Sequence, residues 1–152
     1  MATVCSFFGH RDVGEQIRPA LAAEIERHIT EHGVDTFYVG GYGNFDNMAA
    51  GVLREMKGRY PHISVFRILA YLPTDNKETG GDQTPTIFPD GLELVHPRYA
   101  ITHRNRWIVE ASDYIIAYVK SGYGGAYDAL KYAKRKQKTV VNLADNDEHG
   151  GE

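Results

Sequence analysis

The sequence is short of cysteine, of long apolar runs and of net charge. Cys5 is the single cysteine among 152 residues. An intrachain disulfide is therefore excluded, and the apolar surroundings of Cys5 indicate the buried thiol of an intracellular protein. No apolar run approaches the roughly 20 residues of a transmembrane helix, and no signal peptide precedes the first apolar segment. We therefore expect a cytoplasmic protein without a membrane segment.

Charge of either sign is not concentrated in runs. The formal net charge is −3, from 17 Lys and Arg against 20 Asp and Glu. A surface that coats nucleic acid normally shows a basic excess, so the balance argues against nucleic acid as a partner. It leaves room for a small anionic ligand held by a few arginines. Hydrophobic residues make up 42% of the chain, which is enough to bury a core without disulfides or a metal.

Several catalytic motifs are also missing. The chain has no HExxH, CxxC, GxSxG or Walker A pattern, which removes support for metalloprotease, zinc-site, hydrolase-elbow and nucleoside-triphosphatase functions. His28 and His32 lie four residues apart on a predicted helix, but no third ligand is apparent, and we interpret both as solvated. We expect no metal and no cofactor.

What is present is a regular alternation of short apolar runs and amphipathic stretches. The predicted strands are residues 3–9, 35–41, 63–72, 113–119 and 139–143. The predicted helices are residues 14–32, 45–60, 97–112 and 125–137. Such alternation predicts parallel strands with right-handed crossovers. We expect an α/β fold, a Rossmann-like three-layer sandwich whose mostly parallel five-stranded sheet has the order 3-2-1-4-5.

One domain is expected over residues 1–144, followed by a polar tail, residues 145–152. Residues 74–95 break the alternation with glycines, prolines and acids and are predicted to form a long loop. A loop of this length in a small domain is either a lid or binding loop, or a plain surface loop.

Two glycine-rich stretches share one pattern. VGGYGNFDNMAA contains the first glycine loop, residues 40–43, and SGYGGAYDAL contains the second, residues 121–125. In each, glycines and a tyrosine precede an acid and the start of a helix. Glycine allows close approach of the backbone, and the free N–H groups of a helix N-terminus attract anions. The alternative is that both are tight turns whose acids, Asp46 and Asp128, only stabilise helix ends.

The predicted topology brings these loops together. Ligands of open α/β sheets bind beyond the carboxyl ends of the strands, where the strand order reverses. That point lies between strands one and four, beside Gly9-His10-Arg11 and the second glycine loop. Arg104 interrupts an apolar helix face, and a buried guanidinium needs an acid or an anionic ligand unless its head reaches water.

These observations define a predicted site. The predicted ligand-binding residues are Gly9, His10, Arg11, Gly40, Gly41, Tyr42, Gly43, Asn44, Asp46, Ser121, Gly122, Tyr123, Gly124 and Gly125. Arg104 and Asp128 are the predicted catalytic pair if the protein is an enzyme.

The stretch RNRWIVEASDYIIAYVKSGYGGAYDAL resembles the SLOG superfamily, which includes Lonely Guy phosphoribohydrolases, YpsA-like proteins and the Rossmann-like part of DprA. Arg104 matches the arginine that starts a helix in Lonely Guy enzymes, and Ser112-Asp113 matches their Ser-Asp. The second glycine loop matches their PGGxGTxxE loop, and Asp128 its glutamate. The first glycine loop is similar to that of DprA, and Gly9-His10-Arg11 to the opening motif of YpsA-like members.

The match departs from the Lonely Guy pattern within the glycine loop and at the acid that follows it. Lys120 and Gly125 replace the proline and threonine of the loop, and Asp128 is one methylene shorter than glutamate. A misplacement of about 1 Å costs a reacting group roughly a hundredfold in rate. The departures therefore argue against hydrolysis more than against binding.

The resemblance implies a binding module for a nucleotide or an ADP-ribose-like signalling ligand, which it senses or sequesters. The alternative is an enzyme that cleaves the N-glycosidic bond of a nucleoside 5′-monophosphate, with Asp128 near the ribose and Arg104 at the phosphate. Single-stranded DNA binding in the manner of DprA is a lesser alternative. The Lonely Guy resemblance also implies a homodimer or higher homo-oligomer.

Overall fold

The computed structural model describes residues 2–41, 43–72 and 84–145. Within these ranges strands and helices alternate along the chain. The strands are β1 (Val4–Gly9), β2 (Thr36–Val39), β3 (Ser64–Ile68), β4 (Thr86–Ile87), β5 (Tyr114–Tyr118) and β6 (Thr139–Asn142). The α-helices are α1 (Arg18–Glu31), α2 (Gly43–Arg59), α3 (Ala100–Ala111) and α4 (Gly125–Arg135).

The described strands form one parallel sheet with the order β4-β3-β2-β1-β5-β6. The predicted α/β Rossmann-like class is confirmed, and the five predicted strands occur in the predicted order. The structure adds β4, two residues long, which pairs with Arg67 and Ile68 at the end of β3. It lies inside the stretch predicted as a loop, because Thr86 and Ile87 are too short a run to signal a strand. Residues 74–83 of that loop lie outside the described residues.

The middle of the sheet is buried on both faces, because a layer of helices covers each face. Val4 to Phe8 of β1 are all buried. Helices α1 and α2 pack with β1 and β2 in one core cluster, and α3 and α4 pack with β5 in another. This three-layer arrangement leaves the carboxyl ends of the strands and the loops that follow them at one edge of the molecule.

The titratable side chains of Cys5 and His28 are buried in the core. Cys5 is fully buried, as predicted, and this burial raises the pKa of its thiol. The prediction that His28 is solvated is wrong, because its ring is fully buried against His32 and Tyr114. Its Nδ1 lies 2.8 Å from the carbonyl oxygen of Glu24. Burial lowers the pKa of His28, since the charged ring would lose its hydration.

The helices of the described ranges include none that is long and apolar enough to cross a membrane.

Candidate functional site

A cleft of about 690 Å³ opens at the carboxyl ends of β1 and β5, where the strand order reverses. Ten of the predicted site residues line it. They are Gly9, His10, Arg11, Gly40, Asp46, Arg104, Ser121, Tyr123, Gly124 and Gly125. The cleft therefore joins the end of β1, the starts of α2 and α4, and one face of α3.

The other predicted residues lie elsewhere. Gly41, Gly43, Asn44 and Gly122 do not line the cleft, and Asp128 lines a neighbouring depression. Tyr42 lies outside the described residues. Sequence reasoning missed Asp12 and Asn105, which also line the cleft. Each directly follows a predicted arginine, so a search for polar neighbours of Arg11 and Arg104 would have found both.

Two backbone carbonyls and the side chain of Asn105 hold Arg104 at the wall of the cleft. The residue is only 4% exposed, which rules out the alternative in which its head reaches water. Its Nη1 donates to the carbonyl oxygens of Gly40 at 3.2 Å and Ile68 at 3.4 Å. Its Nη2 and Nε donate to Oδ1 of Asn105 at 2.7 and 3.3 Å. The carbonyls belong to the ends of β2 and β3, so the sheet edge itself orients the guanidinium.

Asp46 approaches the same place from α2. A Cβ atom at Gly40 would lie 2.9 Å from Oδ2 of Asp46 and 3.1 and 3.2 Å from the two Nη atoms of Arg104. Asp46 is 8% exposed and sits in the first turn of α2, where the helix dipole stabilises a carboxylate. Because Gly40 has no side chain, the carboxylate of Asp46 and the guanidinium of Arg104 can both approach its Cα.

Gly43, the last residue of the first glycine loop, is packed against the loop after β1. Gly43 has a φ of +87°, and a Cβ there would lie 2.8 Å from the Cα of Arg11. The N–H of Asn44 donates to the carbonyl oxygen of Arg11 at 2.8 Å. One amide of the α2 N-terminus is therefore already bonded within the protein.

The second glycine loop is open. Gly124 precedes α4 with a φ of +101° and supplies no side-chain cap. A Cβ added at Gly122, Gly124 or Gly125 would meet nothing within 4 Å. The first N–H groups of a helix have no partner within the helix. The start of α4 therefore offers donors and a positive dipole end to the cleft.

His10 connects the loop after β1 to the second glycine loop. Its Nε2 lies 2.8 Å from the backbone nitrogen of Lys120 and 3.4 Å from that of Ser121. A backbone N–H can only donate, so Nε2 is the acceptor nitrogen and the neutral ring carries its proton on Nδ1. His10 thereby connects the end of β1 to the start of the second glycine loop.

The described ranges contain no group of three or more His, Cys, Asp or Glu residues that could hold a metal ion.

Comparison with solved structures identifies the fold. DNA processing protein A from Helicobacter pylori, solved for its single-stranded DNA binding mode, matches with a TM-score of 0.61 and 16% identity over 91% of this chain and 63% of that one. DNA processing protein A (DprA) from Streptococcus pneumoniae matches with a TM-score of 0.55 and 12% identity over 95% of this chain and 60% of that one.

The Moco carrier protein from Chlamydomonas reinhardtii matches with a TM-score of 0.56 and 18% identity, over 95% of this chain and 77% of that one. No family model and no curated protein matches the sequence. These likenesses confirm the Rossmann-like fold that the sequence resemblance implied. The chain spans less than two thirds of the two DNA processing proteins.

Proposed function

We propose that the cleft binds a small, phosphate-bearing, nucleotide-derived ligand, which the protein senses or sequesters. One observation carries the proposal: a buried arginine, Arg104, and the uncapped start of α4 line the same cleft at the switch point of the sheet. Both features favour an anion, and both are held by the backbone before any ligand arrives.

The cleft provides suitable groups for each part of such a ligand. The amides at the start of α4 and the guanidinium groups of Arg11 and Arg104 would receive phosphate oxygens. Tyr123 is 78% exposed and could stack on a base. The volume of about 690 Å³ falls in the usual range of roughly 300–1,000 Å³ for small-molecule sites.

The similar structures are compatible with a binding role. One is named as a carrier of Moco, and another was solved for its binding of single-stranded DNA. At 16% and 18% identity, these likenesses support a ligand-binding role for the fold. The ligand of this chain is to be identified by experiment.

The first experiment is a thermal-shift screen against AMP, other nucleoside monophosphates, ADP-ribose and cyclic ADP-ribose isomers, followed by calorimetry for each hit. Arg11→Gln is expected to weaken binding about tenfold, because a charge-assisted contact to phosphate is lost. Arg54→Gln is the matched control, since Arg54 is also an exposed arginine, lies on α2 and does not line the cleft. If both variants bind as the wild type does, Arg11 does not contact the ligand.

Arg104→Ala is expected to abolish binding, but it also removes buried hydrogen bonds. Circular dichroism must therefore confirm that this variant is folded. The proposal fails if no ligand of the screen shifts the melting temperature, or if a folded Arg104→Ala protein keeps the wild-type affinity.

Chromatography of the same mixtures tests the phosphoribohydrolase alternative. Asp128 is exposed and lines the neighbouring depression, whereas the carboxylates that line the cleft belong to Asp12 and Asp46. Release of free base and ribose phosphate would establish hydrolysis. Asp46→Asn and Asp128→Asn would then identify the carboxylate, and intact recovery of the ligand supports binding alone.

Single-stranded DNA binding is favoured by one observation. Residues 98–138 carry nine Lys and Arg against three Asp and Glu, although the whole chain is acidic. Fluorescence anisotropy with a labelled oligonucleotide at rising salt tests it. If phosphate contacts carry the binding, the logarithm of the association constant should fall steeply and linearly with the logarithm of the salt concentration.

A further inference from the structure

A second depression of about 340 Å³ lies between α3 and α4. Among the described residues, the cationic side chains that line it are Arg106, Lys131 and Arg135, and the one acid is Asp128. The cations are exposed surface residues, so the depression combines an open mouth with a positive lining. A concave surface of one sign raises the local concentration of counter-ions.

This depression adjoins the cleft. Asn105 and Gly125 line both of them, so the first residue of α4 and a residue of α3 form the boundary. A ligand bound at the start of α4 could therefore extend over Gly125, which carries no side chain to block it.

The cations of the depression lie close to aromatic rings. Arg106 and Arg135 lie 5.3 and 5.4 Å from the ring centre of Tyr132. The nitrogen of Lys131 lies 5.5 Å from the ring centre of Tyr127. The hydroxyl of Tyr132 donates to the carboxylate of Glu110, which fixes the ring. Guanidinium groups that are already oriented lose less entropy when they bind an anion.

We propose that the depression between α3 and α4 is a second anion subsite, and that it holds a second phosphate group of the ligand bound in the cleft. The identity of the ligand rests on the proposed function, whereas the binding of an anion by Arg106, Lys131 and Arg135 does not. The subsite would select a ligand with two separated phosphate groups over one with a single phosphate.

Two ligands that differ by one phosphate test the selection. Calorimetry compares AMP with adenosine 3′,5′-bisphosphate on the wild type and on Arg106→Gln and Arg135→Gln. Each substitution is expected to weaken the bisphosphate about tenfold and to leave AMP unchanged. Both residues are exposed, so the variants should fold normally. Lys134→Gln is the control, because it removes one positive charge from α4, the helix of Arg135, at a residue that does not line the depression.

Equal weakening of both ligands would overturn the proposal, because it would indicate a long-range charge effect. An unchanged bisphosphate affinity would overturn it too. Binding of a labelled oligonucleotide is measured with the same variants. If Arg106→Gln and Arg135→Gln weaken only the oligonucleotide, the phosphates of a strand occupy the surface and the small-ligand assignment is wrong.

Inorganic pyrophosphate separates the two proposals. In the wild type it should shift the amide resonances of α3 and of the first turns of α4, and Arg106→Gln should suppress these shifts. If no ligand of the screen binds but pyrophosphate gives this result, the proposed function fails and the anion subsite stands. If pyrophosphate leaves these resonances unmoved, the subsite is overturned.

Discussion

The two glycine loops look alike in sequence and differ in what surrounds them. In the first glycine loop each glycine faces a different arginine: Arg104 at Gly40, Arg67 at Gly41 and Arg11 at Gly43. In the second, a Cβ at Gly122, Gly124 or Gly125 would meet nothing within 4 Å. The glycines of the first loop are packed against other side chains, and those of the second are exposed.

The difference shows that glycine serves two purposes at one sheet edge. In the first loop the missing side chains let Arg104, Asp46 and the loop after β1 approach the backbone closely. In the second loop they leave the start of α4 uncovered. Alanine substitutions should therefore reduce stability through steric clashes in the first loop. In the second loop they should act through backbone strain at Gly124 and on ligand binding at Gly125.

The largest effect is expected for Gly43→Ala. The new Cβ would lie 2.8 Å from the Cα of Arg11, and the φ of +87° disfavours any L side chain. Backbone strain and overpacking together should lower the free energy of unfolding by about 4 kcal/mol. Urea denaturation measures this loss. A loss below about 1 kcal/mol would show that the loop after β1 shifts freely and that the first loop is not tightly packed.

Gly40→Ala should follow, at about 3 kcal/mol, because its Cβ would displace two buried charged side chains from their positions. Oδ2 of Asp46 and the Nη atoms of Arg104 lie 2.9–3.2 Å from that point. The same variant should lose ligand affinity, since Arg104 lines the cleft. Calorimetry on folded protein checks the second part, and unchanged affinity would separate Arg104 from the binding site.

Gly124→Ala should cost about 2 kcal/mol through backbone strain alone, because its φ of +101° and ψ of 173° lie in a region essentially restricted to glycine. Gly122→Ala is the control within the same loop, with equally open surroundings and no positive φ. Urea denaturation of both separates strain from packing. If the two variants are equally stable, an alanine at position 124 is not strained and the prediction is wrong.

Gly125→Ala should have the smallest effect on stability, within about 0.5 kcal/mol, because the added methyl group meets no neighbour. It should nevertheless weaken the ligand about tenfold, since a methyl group at the start of α4 obstructs the approach of phosphate to the amides. Gly122→Ala, outside the cleft, should bind normally. Equal affinities of both variants would place the ligand away from α4.

Much of this arrangement could be read from local sequence. The strand order followed from the spacing of apolar runs, and the grouping of Gly9-His10-Arg11 with the second glycine loop followed from that order. The different surroundings of the two loops could not be read. Both show glycine, tyrosine and an acid before a helix, and local composition does not state what packs against a loop.

The sequence by itself determined that the chain forms a parallel α/β sheet, because the period of apolar residues decides which faces are buried. It also determined that Arg104 lies on a helix face that is otherwise apolar. Only the tertiary structure decided the partners of that arginine, the carbonyls of Gly40 and Ile68, which lie 64 and 36 residues away along the chain. It likewise decided that Asp128 lines the depression beside the cleft. The physical reason is that the direction of a side chain depends on how its helix docks against the sheet, and that docking is settled by contacts between residues far apart in sequence.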